Sequence, residues 1–376
     1  MVLPMSSLTS HFSFIKDPRQ ISKVDHELLD IIILCITGVL CGAEGWHDIE
    51  MVGRARLDWF QNRGLLKNGV PVDDTIARII SRICPEQLQT CFIEWMKAIE
   101  HETDKKVIAI DGKTLRRSFD KKKKKAAIHM VSAFATANGV VLGQQKTNEK
   151  SNEITAIPEL LQLIDIKGGI VTIDAMGCQK EIAKKIITKE ADYVLAVKDN
   201  QKNLHEEIKD FFTVAKANDF KNIDYDFYEE ITKGHGRIET RRYWLSTNLE
   251  TIGNCDSWEN LNCIGMVESE RTIGEKTSSE VRYFISSMEC NARCFGNAVR
   301  SHWLVENQLH WVLDVSFRED DSRVRRDFSS ENMSIFRHIV LNALRNDKSI
   351  KKSLKAKRFK AALEPNYAEL ILNGIF

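Results

Sequence analysis

The stretch KVIAIDGKT, residues 106–114, places a carboxylate, a glycine and a lysine directly behind a run of apolar, β-branched residues. Such residues favour strands and Asp-Gly favours a turn, so the pattern predicts a short strand over 106–111 that ends at Asp111. The stretch GIVTIDA, residues 169–175, repeats the arrangement around Asp174. We therefore expect two aspartates at the ends of two strands.

A third carboxylate, Glu306, lies in NAVRSHWLVENQLHW, residues 297–311, whose apolar residues have helical spacing. Two strand-end aspartates and a helical glutamate can hold divalent metal, because hard cations such as Mg²⁺ take carboxylate oxygens. Two such ions about 3.5–4 Å apart would contact the attacking and the leaving oxygen of a phosphoryl transfer. The alternative is that the aspartates only accept hydrogen bonds in turns and that Glu306 is a solvated helix residue.

Five longer motifs carry a resemblance to a known family: IAIDGKTLRRS, KSNEITAIPELL, VTIDAMGCQKEIA, HGRIETR and HWLVENQLHWVLDVSFREDDSR. In this order they resemble the DDE transposases of insertion sequences, in the H-repeat-associated branch, and the resemblance runs from about residue 15 to the C-terminus. It implies that Asp111, Asp174 and Glu306 are the catalytic triad and bind two Mg²⁺ or Mn²⁺ ions. It also implies cleavage of double-stranded DNA at the ends of a mobile element and strand transfer into target DNA. Because two ends must be held together, we expect a homodimer in the synaptic complex.

The order of the predicted elements is typical of an α/β fold with an RNase H-like catalytic core. The predicted elements are strands over 106–111, 128–137 and 140–147, a helix over 153–163, a strand over 170–174, a helix over 179–189 and a strand over 191–198. The second and third strands are joined by a hairpin turn at Asn138-Gly139. In an RNase H-like core the first and fourth strands are neighbours, which would bring Asp111 and Asp174 together.

The rest of the chain divides around this core. Residues 1–100 are predicted as an N-terminal helical domain, 101–344 as the catalytic core with a β-rich insertion over 199–291, and 345–376 as a basic C-terminal tail. Two short helices around Cys84-Pro85 could form a helix-turn-helix that turns Arg78 and Arg82 to DNA, or a bundle that only packs on the core.

Composition narrows the environment and the partners. There are 54 Lys and Arg residues against 53 Asp and Glu, so a nucleic-acid surface must come from local clustering of charge. Nine scattered cysteines and no recognisable signal peptide favour a reducing cytosol, and we expect a nucleoid-associated protein there. The apolar run over 28–41 is too short to span a bilayer and predicts a buried helix, so no membrane partner is expected.

Basic side chains cluster at three places and are predicted to contact DNA. They are Lys113, Arg116 and Arg117 behind the first aspartate, His235, Arg237 and Arg241 in HGRIETR, and His302 and His310 around Glu306. Alternation along a strand puts Arg237, Glu239 and Arg241 on one face, where an arginine row suits phosphate. The alternative is an exposed strand in which Glu239 pairs with its neighbours.

The helix that carries Glu306 offers further interpretations. His302, Glu306 and His310 repeat at four-residue spacing, so the histidines either form a metal site with the carboxylate, flank it, or merely pack. Asp314 lies two turns beyond Glu306 and could add a metal ligand. Trp303 and Trp311 are expected in the core. Beside the transposase we keep two alternatives, a metal-dependent nuclease that does not join DNA and a catalytically silent DNA-binding protein descended from a transposase.

Overall fold

The computed structural model describes residues 8–374, apart from residues 21, 23, 100–106, 120–125, 148–152 and 235. A nine-stranded sheet runs through the described part of the chain, in the spatial order β3-β2-β1-β4-β5-β9-β8-β7-β6. The core strands are β1 (Val107–Leu115), β2 (Ile128–Ala135), β3 (Val140–Lys146), β4 (Ile170–Ile173) and β5 (Asp192–Val197).

The first five strands have the RNase H-like arrangement. β1 pairs antiparallel with β2, which pairs antiparallel with β3, while β1, β4 and β5 run parallel to one another. The predicted hairpin is present, with Gly139 at a φ of 70°, a conformation that favours glycine. The fold class and the adjacency of the first and fourth strands are confirmed.

Strand β1 is longer than predicted, which corrects the position of Asp111. The strand does not turn at Asp111-Gly112, because β2 continues to pair with it from Asp111 opposite Ser132 to Leu115 opposite Ile128. Asp111 is therefore the middle residue of a nine-residue strand and not a strand-end residue. Asp174 does follow the last residue of β4, as predicted.

The β-rich segment extends the core sheet and begins with a helix that was not predicted. Its strands are β6 (Tyr225–Gly234), β7 (Arg237–Ser246), β8 (Cys263–Ile273) and β9 (Lys276–Ser286). β9 pairs antiparallel with β5, so one continuous sheet results. Helix α9 (Lys202–Ala217) precedes these strands, and its buried residues Leu204, Ile208 and Phe212 recur every four residues, the pattern of an amphipathic helix.

The remaining helices surround the sheet. They are α1 (Leu8–Phe12), α2 (Leu28–Leu40), α3 (Trp46–Ala55), α4 (Leu57–Gln61), α5 (Asp73–Ile80), α6 (Pro85–Ile99), α7 (Glu153–Leu163), α8 (Lys180–Thr188), α10 (Ala292–Leu304), α11 (Trp311–Phe317), α12 (Ser329–Asn346), α13 (Leu354–Leu363) and α14 (Pro365–Asn373). Helix α2 is buried on nearly every side, as the apolar run predicted. Among the described residues, no helix combines the length and the apolar character needed to cross a membrane.

The two faces of the sheet carry separate cores because successive strand residues point to opposite sides. Ile170 and Val194 belong to a cluster that includes Phe295 and Ala298 of α10. Their chain neighbours, such as Val171, belong to the larger cluster that includes α7 and α8. Asp111 has the same parity as Val107, which packs against the α10 cluster, so its carboxylate faces the helix that leads to Glu306.

Helix α12 crosses the interior, and two of its asparagines bond to neighbouring elements there. The amide of Asn342 exchanges hydrogen bonds of 2.9 Å with the backbone of Val141 in β3, so it continues the edge of the sheet. Asn332 donates to the carbonyls of Ile80 and Ile83 at 2.8 and 3.0 Å, which joins α12 to the N-terminal helices. These bonds join α12 to its neighbours, while Ser329 Oγ, Asn332 Oδ1 and His338 Nδ1 have no hydrogen-bond partner among the described residues.

The segment 345–376 is not a solvated basic tail, in contrast to the prediction. It forms α13 and α14, with Lys357 and Arg358 buried. The Arg358 guanidinium donates to the carbonyl of Val39 at the end of α2, at 2.7 and 3.1 Å. The charged heads satisfy buried carbonyls, which is why a run of basic residues folds against the N-terminal helices. The division into domains stays a prediction.

Candidate active site

Register in the sheet brings the two aspartates to the same level. β1 and β4 pair in parallel with Ile110 opposite Ile173, so Asp111 and Asp174 are the next residues on adjacent strands. The Asp111 carboxylate accepts a hydrogen bond from the Gly112 amide at 2.9 Å. Asp174 begins a short turn and accepts from the Met176 amide at 3.1 Å, which fixes its side chain where β4 ends.

Glu306 sits where the long helix changes its winding. Between α10 and α11 the residues Val305–His310 form a π-helical turn, a rare conformation that is frequent at functional sites. The Gln308 carbonyl of this turn accepts a hydrogen bond from Arg345, which also donates to the Gly139 carbonyl. Arg345 was predicted as the first residue of a basic tail, and it instead supports the turn that presents Glu306.

The three predicted acids line one cavity. Its volume is about 230 Å³, and its walls include Asp111, Asp174 and Glu306 together with the cations Lys198 and Arg282. The Glu306 side chain is 57% exposed and that of Asp111 is 16% exposed. Asp111 thus lies at the inner end of the cavity, and the longer Glu306 side chain lies at its solvent-exposed edge.

The electrostatics of the site oppose ionisation of the two half-buried aspartates. Burial raises the pKa of Asp111 to about 8, and the neighbouring carboxylates of Glu306, Asp174 and Glu153 add to that effect. Burial and Glu153 also raise the pKa of Asp174. Like charges gathered in a partly desolvated place destabilise the ionised forms. A bound cation would remove this repulsion.

The donor atoms fit a divalent cation. One ligand atom each from Asp111, Glu306 and His310 lie within 4.8 Å of one another. His310 Nδ1 is 3.6 Å from Asp111 Oδ2 and 3.7 Å from Glu306 Oε2, too far for hydrogen bonds and suitable for ligands that share an ion. Within the described part of the chain Asp174 is outside this group, although it lines the same cavity. The two carboxylates suit Mg²⁺ or Mn²⁺, which prefer oxygen ligands, whereas the imidazole nitrogen is a ligand better suited to Zn²⁺ or Fe²⁺.

The two histidines predicted to flank Glu306 are both turned inward. His310 is 6% exposed, and burial lowers its pKa although Glu306 opposes that effect. His302 Nδ1 lies 3.1 Å from the Thr172 hydroxyl of β4, and burial lowers the pKa of His302 to about 4. These positions favour support of the acids over contact with DNA.

The sequence analysis did not identify two charged residues that lie near the three acids. Glu153, the first residue of α7, lies 2.7 Å from His129 Nε2 of β2 and raises the pKa of both aspartates. A Cβ built on Gly112 would overlap both side chains, so Gly112 leaves the room for this pair. The signal was an acidic residue in the first turn of the helix predicted in KSNEITAIPELL. The second residue is Lys198, which follows β5 and lines the acidic cavity. The sequence signal was a cation at the end of a predicted buried strand.

Lys113 belongs to a buried ion-pair network. Its Nζ lies 2.5 Å from Asp314, 3.0 Å from Glu319 and 3.3 Å from Asp320, and its side chain is 11% exposed. Glu319 is fully buried and also pairs with Arg337 at 3.4 Å. Asp314 is thus occupied by Lys113, which leaves its predicted role as a metal ligand without support.

The other predicted DNA contacts differ in exposure. Arg116 is 80% exposed and Arg117 47% exposed, and each pairs with one aspartate of the 319–321 turn. Arg237 and Arg241 both pair with Glu239, at 2.9 and 2.5 Å, which is the pairing drawn as the alternative.

Four of the remaining predicted residues are exposed, and a fifth, His235, lies outside the described residues. Arg78 on α5 and Arg82 in the turn between α5 and α6 are both exposed, which leaves the helix-turn-helix a prediction. Trp303 and Trp311 were expected in the core, but they are 52% and 59% exposed, because the π-helical turn and the helix face direct them outward.

Comparison with known proteins matches this architecture to one family. The profile described as "Transposase DDE domain" matches residues 102–343, and the profile "DDE_Tnp_1-associated" matches residues 9–96. The first match contains the three acids and the whole nine-stranded sheet.

Full-length relatives agree with the profiles. A protein named "Putative transposase YncI" from Escherichia coli O157:H7 is 48% identical over 98% of this chain and 95% of its own length. One named "H repeat-associated putative transposase YhhI" from Escherichia coli K12 is 46% identical over 99% of both chains. A shorter relative in the same strain, 46% identical over 21% of this chain, is named "Inactive transposase YbfQ".

Among solved structures, the synaptic complex of piggyBac transposase with hairpin DNA aligns with a TM-score of 0.46 and 11% identity, over 98% of this chain and 77% of that chain. That likeness is too weak to carry weight beside the profile and the full-length relatives. The profile match and the full-length relatives show that the chain belongs to the DDE transposase family, in its H repeat-associated branch.

Proposed function

We propose that the protein is an active insertion-sequence transposase that cleaves double-stranded DNA at the ends of its element and joins the freed ends to target DNA. The observation that carries the proposal is the convergence of Asp111, Asp174 and Glu306 on one cavity from two adjacent strands and a π-helical turn. The raised pKa of Asp111 supports it, because such a cluster of acids is stabilised by a cation.

Asp111, Asp174, Glu306 and His310 would hold the cations, which we take to be two Mg²⁺ or Mn²⁺ ions. Bound there, divalent ions supply positive charge at the phosphoryl group that is being transferred. Asp111 must lose its proton first, since only the carboxylate is a ligand. His302, which contacts the Thr172 hydroxyl of β4, would fix the helix turn that precedes Glu306 against the strand that precedes Asp174.

The proposed reaction consists of two phosphoryl transfers. In the first, a water oxygen bonds to a phosphorus at the element end and loses a proton, the bond from that phosphorus to the 3′ oxygen breaks, and the 3′ oxygen takes up a proton. In the second, the oxygen of the freed 3′-OH loses its proton and bonds to a phosphorus of target DNA, and the 3′ oxygen displaced there takes up a proton. Lys198 and Arg282, which line the cavity, would attract the phosphate oxygens in both steps.

Two ends must be present together for concerted joining, so we propose a homodimer in the complex with DNA. Cytoplasmic action on the nucleoid belongs to the same proposal, since element and target DNA are found there. The alternatives remain a nuclease that does not join and a silent DNA-binding descendant. The intact acids argue against the silent form, while the relative named inactive is a reason to test for activity.

The test incubates purified protein with labelled DNA that carries the flanking element ends, a target plasmid, and Mg²⁺ or Mn²⁺. Wild type is compared with Asp111→Asn and Glu306→Gln, and with Asp210→Asn as an exposed control on α9. We expect end cleavage and joined products with wild type and the control, and neither with the acid variants. Cleavage without joining would indicate a nuclease. Binding without cleavage in either metal would refute an active enzyme, and unchanged cleavage in the variants would refute these acids.

A further inference from the structure

Strand β6 is an edge of the nine-stranded sheet, and its outer side pairs with no strand of the described chain. At the opposite edge, β3 bonds to Asn342 of α12. Strand β6 pairs with β7 on its inner side, from Tyr225 opposite Ser246 to Gly234 opposite Arg237. An edge strand presents a row of unpaired amide and carbonyl groups that can pair with another strand. The ten residues of β6 are therefore a surface for strand pairing.

The outer backbone groups belong to alternate residues of this strand. In an antiparallel pair, one residue directs its amide and carbonyl to the partner strand, and the next residue directs them away. The Phe227 amide points away from β7, since it donates to the carboxylate of Asp226 at 2.9 Å. The pairing of β6 with β7 has no register shift. Glu229, Ile231 and Lys233 therefore direct their backbone groups to the outer edge as well.

The side chains of the same alternate residues form an open face of the strand. The residues between them are half-buried and face α10, where Arg300 pairs with Glu230 at 2.5 Å. The exposed row consists of Tyr225, Phe227, Glu229, Ile231 and Lys233. At its centre Ile231 is 58% exposed. Covering an exposed isoleucine removes apolar surface from water, so contact at the centre of the strand is favourable.

Charge selects the register in which a second copy of β6 fits this edge. When two copies pair antiparallel about a two-fold axis, one residue lies opposite itself. With Ile231 at that position, Glu229 of each copy lies opposite Lys233 of the other. An axis at Glu229 or Glu230 would place like charges opposite each other, which destabilises a strand pair. An axis at Thr232 would place Ile231 opposite Lys233 and remove both opposite-charge pairs.

We propose that two copies of this chain associate through β6, with the two strands antiparallel and centred on Ile231. The pair of Ile231 residues and the two pairs of Glu229 with Lys233 then exchange about six backbone hydrogen bonds, which joins the two sheets into one. The inference rests on the homodimer of the proposed function and adds the surface on which the copies meet. Because only protein groups form this contact, it requires neither DNA nor metal.

Sedimentation equilibrium of the full-length protein, without DNA or metal, tests the charge pairs. Wild type is compared with Glu229→Lys, with Lys233→Glu and with the variant that carries both changes. Lys276→Glu, the same charge change at an exposed lysine of β9, is the control. We expect wild type and control to be dimers, and each single variant to dissociate roughly 5- to 50-fold more readily, because opposite charges become like charges. The double variant should associate as wild type does, since it restores both pairs.

Cross-linking through an introduced cysteine tests the register. In the proposed pairing, position 231 lies opposite itself at a Cα separation of about 5.5 Å, which a disulfide can span. Ile238→Cys is the matched control, because Ile238 is 42% exposed and lies on β7, one strand inside the edge. After mild oxidation, Ile231→Cys should run as a covalent dimer on a denaturing gel. Ile238→Cys and wild type should run as monomers.

Three results would overturn the inference: a monomeric wild type, a dimer that neither single charge change weakens, and equal cross-linking of Ile231→Cys and Ile238→Cys. A monomeric wild type would leave the edge of β6 to a strand of a different polypeptide. Cleavage and joining of element DNA by wild type, measured in parallel, decides the proposed function separately.

Discussion

Replacement of Glu319 by Gln tests the buried network that joins β1 to the helix carrying Glu306. The Glu319 carboxylate is 3.0 Å from Lys113 Nζ and 3.4 Å from Arg337 Nη1. Lys113 lies two residues beyond Asp111, and Glu319 follows α11, so this carboxylate connects the two elements that supply the acids. Removing one member of such a buried group leaves uncompensated charge, which is strongly destabilising.

The magnitude follows from the pKa of Glu319. Burial alone would raise that pKa, but Lys113 and Arg337 outweigh burial and hold it at about 2, against an ordinary value of 4.5. At about 1.4 kcal/mol per pKa unit, the ionised carboxylate contributes about 3 kcal/mol at neutral pH. Because the folded pKa is the lower one, this contribution is complete above about pH 4.5 and is lost as the pH falls toward 2. At pH 3 about 1.4 kcal/mol remains.

Urea unfolding of wild type and Glu319→Gln at pH 7 and at pH 3 measures this difference. The free energy of unfolding of the variant should be lower by about 3 kcal/mol at pH 7 and by about half of that at pH 3. Glu94→Gln, which removes an exposed pair with Lys97 on α6, is the control and should cost less than about 1 kcal/mol. A loss below about 1 kcal/mol in Glu319→Gln, or one that does not change with pH, would refute the reasoning.

Three further predictions concern the site and its support. In EDTA, the folded protein keeps a proton on Asp111 up to a pKa of about 8, whereas the unfolded chain releases it near pH 4, so the free energy of unfolding falls as pH rises between these values. Relative to Asp111→Asn, wild type should lose about 1.4 kcal/mol of that free energy per pH unit between pH 5 and 7, measured by thermal unfolding. Saturating Mn²⁺ should stabilise wild type and leave Asp111→Asn unchanged. Gly112→Ala should separate Glu153 from His129, on the sheet face opposite that of Asp111, and lower DNA cleavage while circular dichroism stays unchanged; unchanged cleavage would contradict a role of this pair in supporting the site. Arg358→Leu should lower the free energy of unfolding by about 2–4 kcal/mol, because the Val39 carbonyl loses its donors; a loss under about 0.5 kcal/mol would mean that the C-terminal helices are held by apolar contacts alone.

The central sheet was accessible to sequence analysis because its signals are local. Apolar runs bounded by glycine and aspartate located β4 and β5 to within two residues, and alternation of strand and helix indicated the parallel pairing. The same local signal misled at Asp111, since Asp-Gly is ordinary turn chemistry and only pairing with β2 keeps this strand extended. Pairing between distant segments is information that a single stretch does not contain.

The partners and the exposure of individual side chains were the least predictable properties. Lys113 reads as a cation beside a catalytic acid, yet its partners Asp314 and Glu319 lie about two hundred residues further along the chain. Trp303 was predicted as a core residue, yet it is open to solvent on the wall of the acidic cavity. In each case the residue type gives the chemistry that is available, and the tertiary neighbours decide whether it is used inside the protein or offered to a ligand.

Elements that follow β1–β5 in the chain determine how Glu306 is presented. A regular helix from α10 to α11 would keep its carbonyls within the helix, but the π-helical turn offers the Gln308 carbonyl to Arg345 of α12. Arg345 also holds the Gly139 carbonyl in the β2–β3 hairpin, and α12 is in turn joined to β3 through Asn342. The position of Glu306 relative to Asp111 therefore depends on a helix that supplies none of the acids. It follows that the C-terminal third of the chain is needed for the site to assemble, and that an isolated β1–β5 core would present two aspartates without their glutamate.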